Sequence, residues 1–220
     1  MNQLSDHLHQ LLKTPEGVVS LAASLVISLC VTVVFAAVLV NFIACHRADG
    51  VKQERKSVVA TGTMTMFFLF FYGLIRFQVG DVSVGNVSVR MAMAGIGLAI
   101  IVFGCFVNVA GRLRLGRNWA NQATIYEQQG LVMTGVYGWV RHPLYASIIW
   151  MFYGASLVYA NLAAFWANTL VFLPFMVYRA RLEEALLAKE FKEYGEYKCR
   201  VGMFFWKLFP TCHASIEKEG

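Results

Sequence analysis

Long stretches without a charged side chain constrain this chain more than any other feature. No charged residue occurs within 17–45, 57–75 or 91–111. A bilayer span needs about 20 consecutive apolar residues, whereas a helix on the surface of a soluble domain shows polar residues along one face. The chain is 58% hydrophobic and 15% charged, against about 45–50% and about 25% in soluble domains. We therefore expect an integral membrane protein.

These stretches predict three membrane-spanning helices, at about 18–45, 57–78 and 90–111. A fourth uncharged stretch, 143–178, is too long for one span, and Asn161 lies near its middle. Each half of it is about 25–27 Å long as a helix, just enough for a hydrocarbon core of about 30 Å. We predict a helical hairpin that turns at Asn161, with one long tilted helix as the alternative. The expected fold class is all-α and polytopic, with about five transmembrane helices.

The positive charges predict an orientation. All of the 19 Lys and Arg residues except Lys13, Arg76 and Arg90 follow the first span, the third span or the hairpin. Cytoplasmic loops carry an excess of Lys and Arg, and five spans place these three segments on one side. We therefore expect the N-terminus outside and the C-terminus in the cytoplasm, in the inner membrane of a bacterium or the endoplasmic reticulum of a eukaryote.

The net charge of +6 fits this orientation and an attraction to anionic membrane lipids. No motif for nucleic-acid binding accompanies it, and the cysteines lack metal-ligand spacing. We therefore expect neither a nucleic-acid partner nor a metal.

Polar residues of the C-terminal half are concentrated on the predicted cytoplasmic side. The predicted organisation is three N-terminal helices within 1–111, then a loop at 112–142, the hairpin at 143–178, an amphipathic helix at 180–198 and a tail at 211–220. The loop is too long for a simple connection, and its glycines and aromatic residues are typical of an ordered, ligand-lining structure. We expect the polar segments within 112–210 to form a cytoplasmic pocket.

Two short constellations in these segments allow more than one interpretation. Arg141 and His142 precede Pro143, a favourable first residue of a helix, and they are either interfacial anchors or pocket residues. Arg179 and Glu183 are four residues apart and share a helical face. They form either an ion pair at a helix exit or a cation and a carboxylate at the mouth of the bundle.

Several motifs follow one another in a fixed order. They are Gly135-Val136-Tyr137, then Arg141-His142-Pro143-Leu144-Tyr145, a pair of spans, Arg179 with Glu183-Glu184, and the run Leu187, Phe191, Glu193-Tyr194 and Tyr197. Over roughly 116–201 the chain resembles the isoprenylcysteine carboxyl methyltransferases, which are grouped with the membrane phospholipid methyltransferases. It departs from their usual pattern at Lys192 and at Gly202.

The resemblance implies S-adenosylmethionine as methyl donor and a set of site residues. The residues that it implies for cofactor binding are Gln122, Gln129, Gly130, Leu131, Val132, Tyr137, His142, Pro143, Leu144, Tyr145, Glu183 and Glu184. Arg179 falls on the arginine that meets the acceptor carboxylate, and His142 is the nearby candidate base for a thiol or amine acceptor. Both are therefore candidate catalytic residues.

The reaction expected from the resemblance is methylation of a lipid-like or membrane-partitioned acceptor, with carboxylate O-methylation favoured. A membrane reductase that uses a nicotinamide cofactor is one alternative, although such chains typically continue the Arg-His-Pro box with Asn-Tyr rather than Leu144-Tyr145. A small transporter or scaffold subunit is another, but it predicts polar residues within several spans. The spans contain few polar residues, and those present, Thr32, Asn108 and Asn168, do not indicate a transport path.

Overall fold

The structure is a computed structural model that describes residues 14–44, 51–55, 58–116, 123–126 and 130–207. Its helices are α1 (Pro15–Ala44), α2 (Val58–Arg76), α3 (Val87–Leu115), α4 (Pro143–Val158), α5 (Leu162–Glu190) and α6 (Tyr194–Arg200), with a 3-10 turn at Gly135–Gly138. The expected all-α bundle is confirmed, and one small sheet accompanies it.

The helices have the apolar surface of a membrane protein. Within α1, α3 and α5, the stretches Gly17–Asn41, Val87–Leu115 and Leu162–Glu190 are long and apolar enough to cross a bilayer, whereas α2 and α4 are shorter. Large apolar side chains point outwards, with Leu29 62% and Phe35 70% exposed. Such a surface is suited to lipid rather than to water. The number of five spans remains a prediction.

Connections at the two ends of the bundle pair with each other. Strands β1 (Val51–Arg55) and β2 (Ala123–Tyr126) form an antiparallel pair that joins the α1–α2 connection to the α3–α4 connection. The sequence prediction contained no strand. At the opposite end, Asn161 in the α4–α5 turn donates to Asp81 Oδ1 at 2.6 Å and to the carbonyl of Val79 at 3.0 Å. These pairings place alternate connections at opposite ends.

Two predicted boundaries are wrong. Helix α3 continues through Arg112 to Leu115 and ends at Gly116, whose φ of +49° suits a residue without a side chain, so the loop does not begin at residue 112. The amphipathic helix predicted at 180–198 is not one element. Phe191 adopts an extended conformation that ends α5, and the short helix α6 then turns Tyr194 and Tyr197 into the interior.

Glycines allow α3 and α4 to approach each other closely. A Cβ atom on Gly97 would lie 2.5 Å from the carbonyl oxygen of Gly154, and one on Gly104 would lie 3.0 Å from that of Ser147. Small residues at such contacts are typical of helices that pack within a bilayer. The close approach aligns the last turns of α3 with the start of α4.

Aromatic rings form the core between α2, α4 and α5. The ring centroids of Phe71 and Phe152 are 4.3 Å apart, and Phe67 stacks on Phe172 at 4.6 Å. Phe152 meets Phe172 edge-on at 4.9 Å. Ring pairs at these separations contribute about 0.5–1.5 kcal/mol each beyond their buried area. This cluster fixes α5 against α4 and so determines where the polar end of α5 lies.

The glycine contact predicts different effects of the same substitution at two positions on α3. Gly97→Ala places a methyl group against a backbone oxygen that cannot move aside, so we expect the free energy of unfolding to fall by about 1–3 kcal/mol. Unfolding in detergent micelles measures it. Gly95→Ala is the control, because no atom lies within 4 Å of its Cβ position. Equal losses in both variants would contradict the packing.

Candidate active site

The Arg-His-Pro box is fixed where the chain enters α4. Pro143 is the first residue of the helix and His142 is its N-cap, where the missing N–H of proline costs nothing. The N–H groups of Arg141 and His142 donate to the carbonyls of Gly202 and Met203, at 2.8 Å and 3.1 Å. The segment that follows α6 therefore lies alongside the box and holds its backbone.

Glu184, on the last turns of α5, is the centre of a buried charge cluster. Its Oε1 accepts from Arg141 Nε at 2.9 Å and lies 3.3 Å from His142 Nε2. Its Oε2 pairs with Lys198 Nζ at 3.1 Å. Because the Glu184 side chain is only 3% exposed and both oxygens are engaged, this residue positions the box instead of facing a ligand.

Glu183, the neighbouring carboxylate, is more accessible. Its Oε1 accepts a hydrogen bond from the Tyr145 hydroxyl, and its Oε2 lies 3.5 Å from His142 Nδ1. Its side chain is 27% exposed. Glu183 therefore presents a carboxylate to the surroundings of the box while His142 and Tyr145 hold its orientation.

His142 lies between these two carboxylates, and its side chain is 6% exposed. Burial alone lowers the pKa of His142, but the hydrogen bonds and negative charges of Glu183 and Glu184 outweigh burial, so this pKa is raised above its ordinary value. The two carboxylates therefore stabilise the imidazolium form relative to an isolated histidine, and they engage both ring nitrogens.

Aromatic faces and Arg179 complete this side of the site. The Tyr145 ring is nearly parallel to the His142 ring, with centroids 5.8 Å apart. Arg179 lies over the Tyr145 ring at 5.6 Å, and its Nη1 is 2.7 Å from the sulfur of Met64 on α2. Within the described residues Arg179 and Glu183 do not pair with each other, which disfavours the interpretation as an ion pair at the helix exit.

Tyr137 forms a second wall from the 3-10 turn. The Tyr197 hydroxyl donates to the carbonyl of Tyr137 at 2.7 Å, so α6 holds this turn. Burial raises the pKa of Tyr137, the charges of Glu183 and Tyr197 raise it further, and the charge of Arg112 opposes them. The Tyr137 phenol therefore lies within electrostatic reach of both Glu183 and Arg112.

The other residues that the resemblance implies for cofactor binding differ in burial and in contacts. Val132 packs with Val107 and Tyr137, Leu131 is half-buried and Gly130 is exposed. The carbonyl of Leu144 accepts a hydrogen bond from Asn108 Nδ2 at 3.4 Å. Gln122 and Gln129 lie outside the described residues.

Sequence reasoning missed two polar residues of α3, Asn108 and Arg112. Asn108 is fully buried, and its Nδ2 donates to Ser147 Oγ at 2.8 Å. Its Oδ1 accepts from Arg112 Nε at 2.9 Å. The available signal was the four-residue spacing, which places both side chains on one face of a helix. Assigning Arg112 to a loop concealed that spacing.

The fold and the site together define a helical membrane protein with a cluster of charged and aromatic side chains at one end of its bundle. Its carboxylates, arginines and rings lie on the ends of α3, α4 and α5 and on the 3-10 turn.

Comparison with known proteins identifies the group that this chain resembles. Residues 92–194 match the family model for phospholipid methyltransferases. The chain is 30% identical over 111 residues to the protein-S-isoprenylcysteine O-methyltransferase of Saccharomyces cerevisiae, covering 49% of this chain and 46% of that protein. It is 29% identical over 113 residues to the Tribolium castaneum protein of the same name, covering 50% of this chain and 40% of that protein. The chain thus spans less than half the length of these relatives.

A solved structure shows the same fold. It is that of the eukaryotic intramembrane Ras methyltransferase ICMT, an isoprenylcysteine carboxyl methyltransferase. The TM-score is 0.50 at 24% identity, and the match covers 69% of this chain and 53% of that chain. The family model and the two relatives, together with this fold, confirm the resemblance inferred from the motifs. Residues 92–194, which match the family model, contain α4, α5 and the box.

The Glu184 cluster predicts a large loss of stability from a small change. Glu184→Gln removes the charge that balances Arg141 and His142, both buried. Removing one partner of a buried ion pair costs about 3–5 kcal/mol, and unfolding in detergent measures the loss. Glu196→Gln is the control, because Glu196 is 84% exposed, and we expect a change within about 0.5 kcal/mol. A similar small change in both variants would contradict the role given to Glu184.

The raised pKa of His142 predicts that stability falls with rising pH. Because the folded protein favours the imidazolium, this stabilisation is complete below the unfolded-state pKa of about 6.5. It is lost as pH rises through the higher folded-state pKa. Unfolding temperatures from about pH 6 to about pH 9 measure the effect, and His142→Gln is expected to remove that part of the slope. An unchanged slope in the variant would contradict the assignment.

Proposed function

We propose that this protein is an S-adenosylmethionine-dependent methyltransferase of a lipid-like or membrane-partitioned acceptor, with carboxylate O-methylation as the favoured reaction. The observation that carries the proposal is the oriented, partly exposed carboxylate of Glu183 beside the His142 and Tyr145 rings. It lies within the segment that matches the phospholipid methyltransferase family model. The names of both curated relatives support an O-methyl transfer.

The residues around Glu183 suit the proposed cofactor. S-adenosylmethionine carries a cationic sulfonium and a cationic amino group, which a carboxylate and aromatic faces favour. Glu183 would hold a cationic or hydroxyl part, while Tyr145, Tyr137 and Val132 provide ring and apolar surfaces. When bound, the cofactor supplies the methyl group that moves from sulfur to a carboxylate oxygen, leaving S-adenosylhomocysteine and a methyl ester.

Arg179 suits the acceptor. It contacts Met64 and Tyr145 but has no carboxylate partner among the described residues. A guanidinium can hold a carboxylate through two parallel hydrogen bonds, which would orient the acceptor. Holding two reactants in the reactive geometry lowers the barrier without any proton transfer.

The contacts of the His142 ring favour a carboxylate acceptor over a thiol or an amine. Thiol and amine acceptors need a base to remove a proton, whereas a carboxylate is already ionised at neutral pH. Both ring nitrogens of His142 lie against glutamate oxygens, Nδ1 at 3.5 Å from Glu183 and Nε2 at 3.3 Å from Glu184, so neither nitrogen is open to an acceptor. We therefore assign His142 the role of orienting Glu183 rather than that of a base.

The proposed orientation has the site in the cytoplasm and the N-terminus outside. The end of the bundle that carries the site also carries Arg112, Arg114, Arg141 and Lys198, whereas Arg76 and Arg90 lie towards the end that contains Asp81 and Asn161. Positive charge favours the cytoplasmic side. A water-soluble cofactor would enter there, and a lipid-like acceptor would arrive from the bilayer.

Binding of S-adenosylmethionine to the full chain in detergent, measured by calorimetry, tests the proposal. We expect binding by the wild type and an affinity about 10- to 100-fold lower in Glu183→Ala, because a charged hydrogen-bonding group is lost. Glu193→Ala is the matched control, since Glu193 is exposed and its side chain makes no capping hydrogen bond.

Three outcomes would count against the proposal in different ways. A folded wild type that does not bind S-adenosylmethionine refutes the activity, and binding of a nicotinamide cofactor in its place supports the reductase alternative. Equal binding by Glu183→Ala and Glu193→Ala leaves the activity but refutes the site. Arg179→Gln is expected to keep the cofactor affinity and to raise KM for a prenylated cysteine carboxylate, and the reverse pattern refutes its role.

A further inference from the structure

Arg112, near the end of α3, is a buried cation. The residue is 8% exposed, and its Nη1 has no hydrogen-bond partner among the described residues. Among the described residues four buried side-chain polar atoms lack a partner, and that of Arg112 alone belongs to a charged group. Arg112 also forms no ion pair with a carboxylate of these residues. A buried guanidinium without a counter-charge is costly unless something else supplies one.

An interfacial anchoring role does not explain this burial. An arginine that anchors a helix extends its guanidinium to the headgroup region. Leu113, the next residue, is 78% exposed, and the exposed Arg114 bonds to Thr134 through its Nε at 2.9 Å. Arg112 instead points into the protein, where Asn108 Oδ1 holds its Nε at 2.9 Å.

Asn108 links Arg112 to the start of α4. Asn108 Nδ2 donates to Ser147 Oγ and to the carbonyl of Leu144. A Cβ on Gly111 would lie 3.1 Å from Leu144 Cδ2, so this turn of α3 lies directly against the Arg-His-Pro box. The guanidinium is thus tied through its Nε to a fully buried amide, which restricts its orientation.

Arg112 and Glu183 both act electrostatically on Tyr137. Arg179, the other arginine of the site, lies instead over Tyr145. Arg179 therefore contacts Tyr145, whereas Arg112 interacts electrostatically with Tyr137.

We propose that Arg112 binds a carboxylate of a ligand at this end of the bundle through its Nη1, either the α-carboxylate of the methyl donor or the carboxylate of the acceptor. This inference rests on the proposed methyltransferase activity. That reaction brings together two carboxylates, one on each ligand, and the pocket offers two arginines. A bound carboxylate would supply both the missing hydrogen-bond acceptor and the missing counter-charge.

Paired ligands that differ in one carboxylate test this role in the full chain in detergent. Calorimetry compares S-adenosylmethionine with its decarboxylated form, for wild type, Arg112→Gln and Arg112→Lys. If the carboxylate that Arg112 binds belongs to the methyl donor, the wild type binds S-adenosylmethionine about 10- to 100-fold more tightly than its decarboxylated form. In Arg112→Gln this preference disappears, because the two changes remove the same contact. Arg114→Gln, two residues further along the helix, is the control and keeps the preference.

The second arm uses the acceptor. If the carboxylate that Arg112 binds belongs to the acceptor, Arg112→Gln leaves the affinities for S-adenosylmethionine and for its decarboxylated form unchanged. KM for a prenylated cysteine carboxylate then rises about 10- to 100-fold with little change in kcat. The affinity for the methyl ester product, which lacks the charge, stays as in the wild type.

The outcomes separate this inference from the proposed function. A folded wild type that binds no S-adenosylmethionine refutes the function itself. A wild type that binds it, with Arg112→Gln indistinguishable from Arg114→Gln in both arms, refutes the inference alone. If Arg112→Gln does not fold, Arg112→Lys decides. Lysine keeps the charge but loses the planar fork, so a partial loss in one arm supports the inference, and wild-type values in both arms overturn it.

Discussion

The buried carboxylate of Glu184 is the interaction on which the candidate site depends. It joins α5 to Arg141 and His142 at the start of α4 and to Lys198 on α6. Burying one carboxylate is costly, but surrounding it with several donors offsets that cost and fixes all of them in place. Arg141 extends the cluster by donating to the carbonyls of Lys198 and Val201. The C-terminal segment is thereby held against the box, and Glu183, one residue away, is left to face the pocket.

This polar end is supported by an apolar framework that brings three helices to one place. Gly97 and Gly154 bring α3 against α4, and the aromatic cluster around Phe152 and Phe172 fixes α5. Only with α3 this close can Asn108 reach Ser147 and the carbonyl of Leu144. Small residues in the apolar part of the bundle therefore determine the geometry of polar residues at its end.

The lengths of the uncharged stretches and the placement of charges predicted the helices well because lipid imposes a length and an exclusion of charge on every span. The hairpin turn near Asn161 could be predicted for the same reason, since the uncharged stretch 143–178 is too long for one span. Tertiary contacts limited the rest. The predicted helix at 180–198 is divided because the chain breaks at Phe191, and this break allows Tyr194 and Tyr197 to be buried. The motifs indicated His142, Tyr145, Arg179 and Glu183. They could not show which of the two adjacent glutamates is buried, because that depends on Lys198, which pairs with Glu184 in the folded chain and leaves Glu183 more exposed.

A contact from α2 also reaches the site. Met64 on α2 lies against Arg179, and it falls outside the segment 92–194 that matches the family model. In the proposed reaction Arg179 faces the acceptor, whereas Glu183 and Tyr137 face the methyl donor. The acceptor end of the site would thus draw on a helix outside the matched segment, whereas Glu183 and Tyr137 lie within it. In the proposed reaction a substitution at Met64 would change the surroundings of Arg179, and with them acceptor binding, while the hydrogen bonds of Glu183 and Tyr137 stay in place.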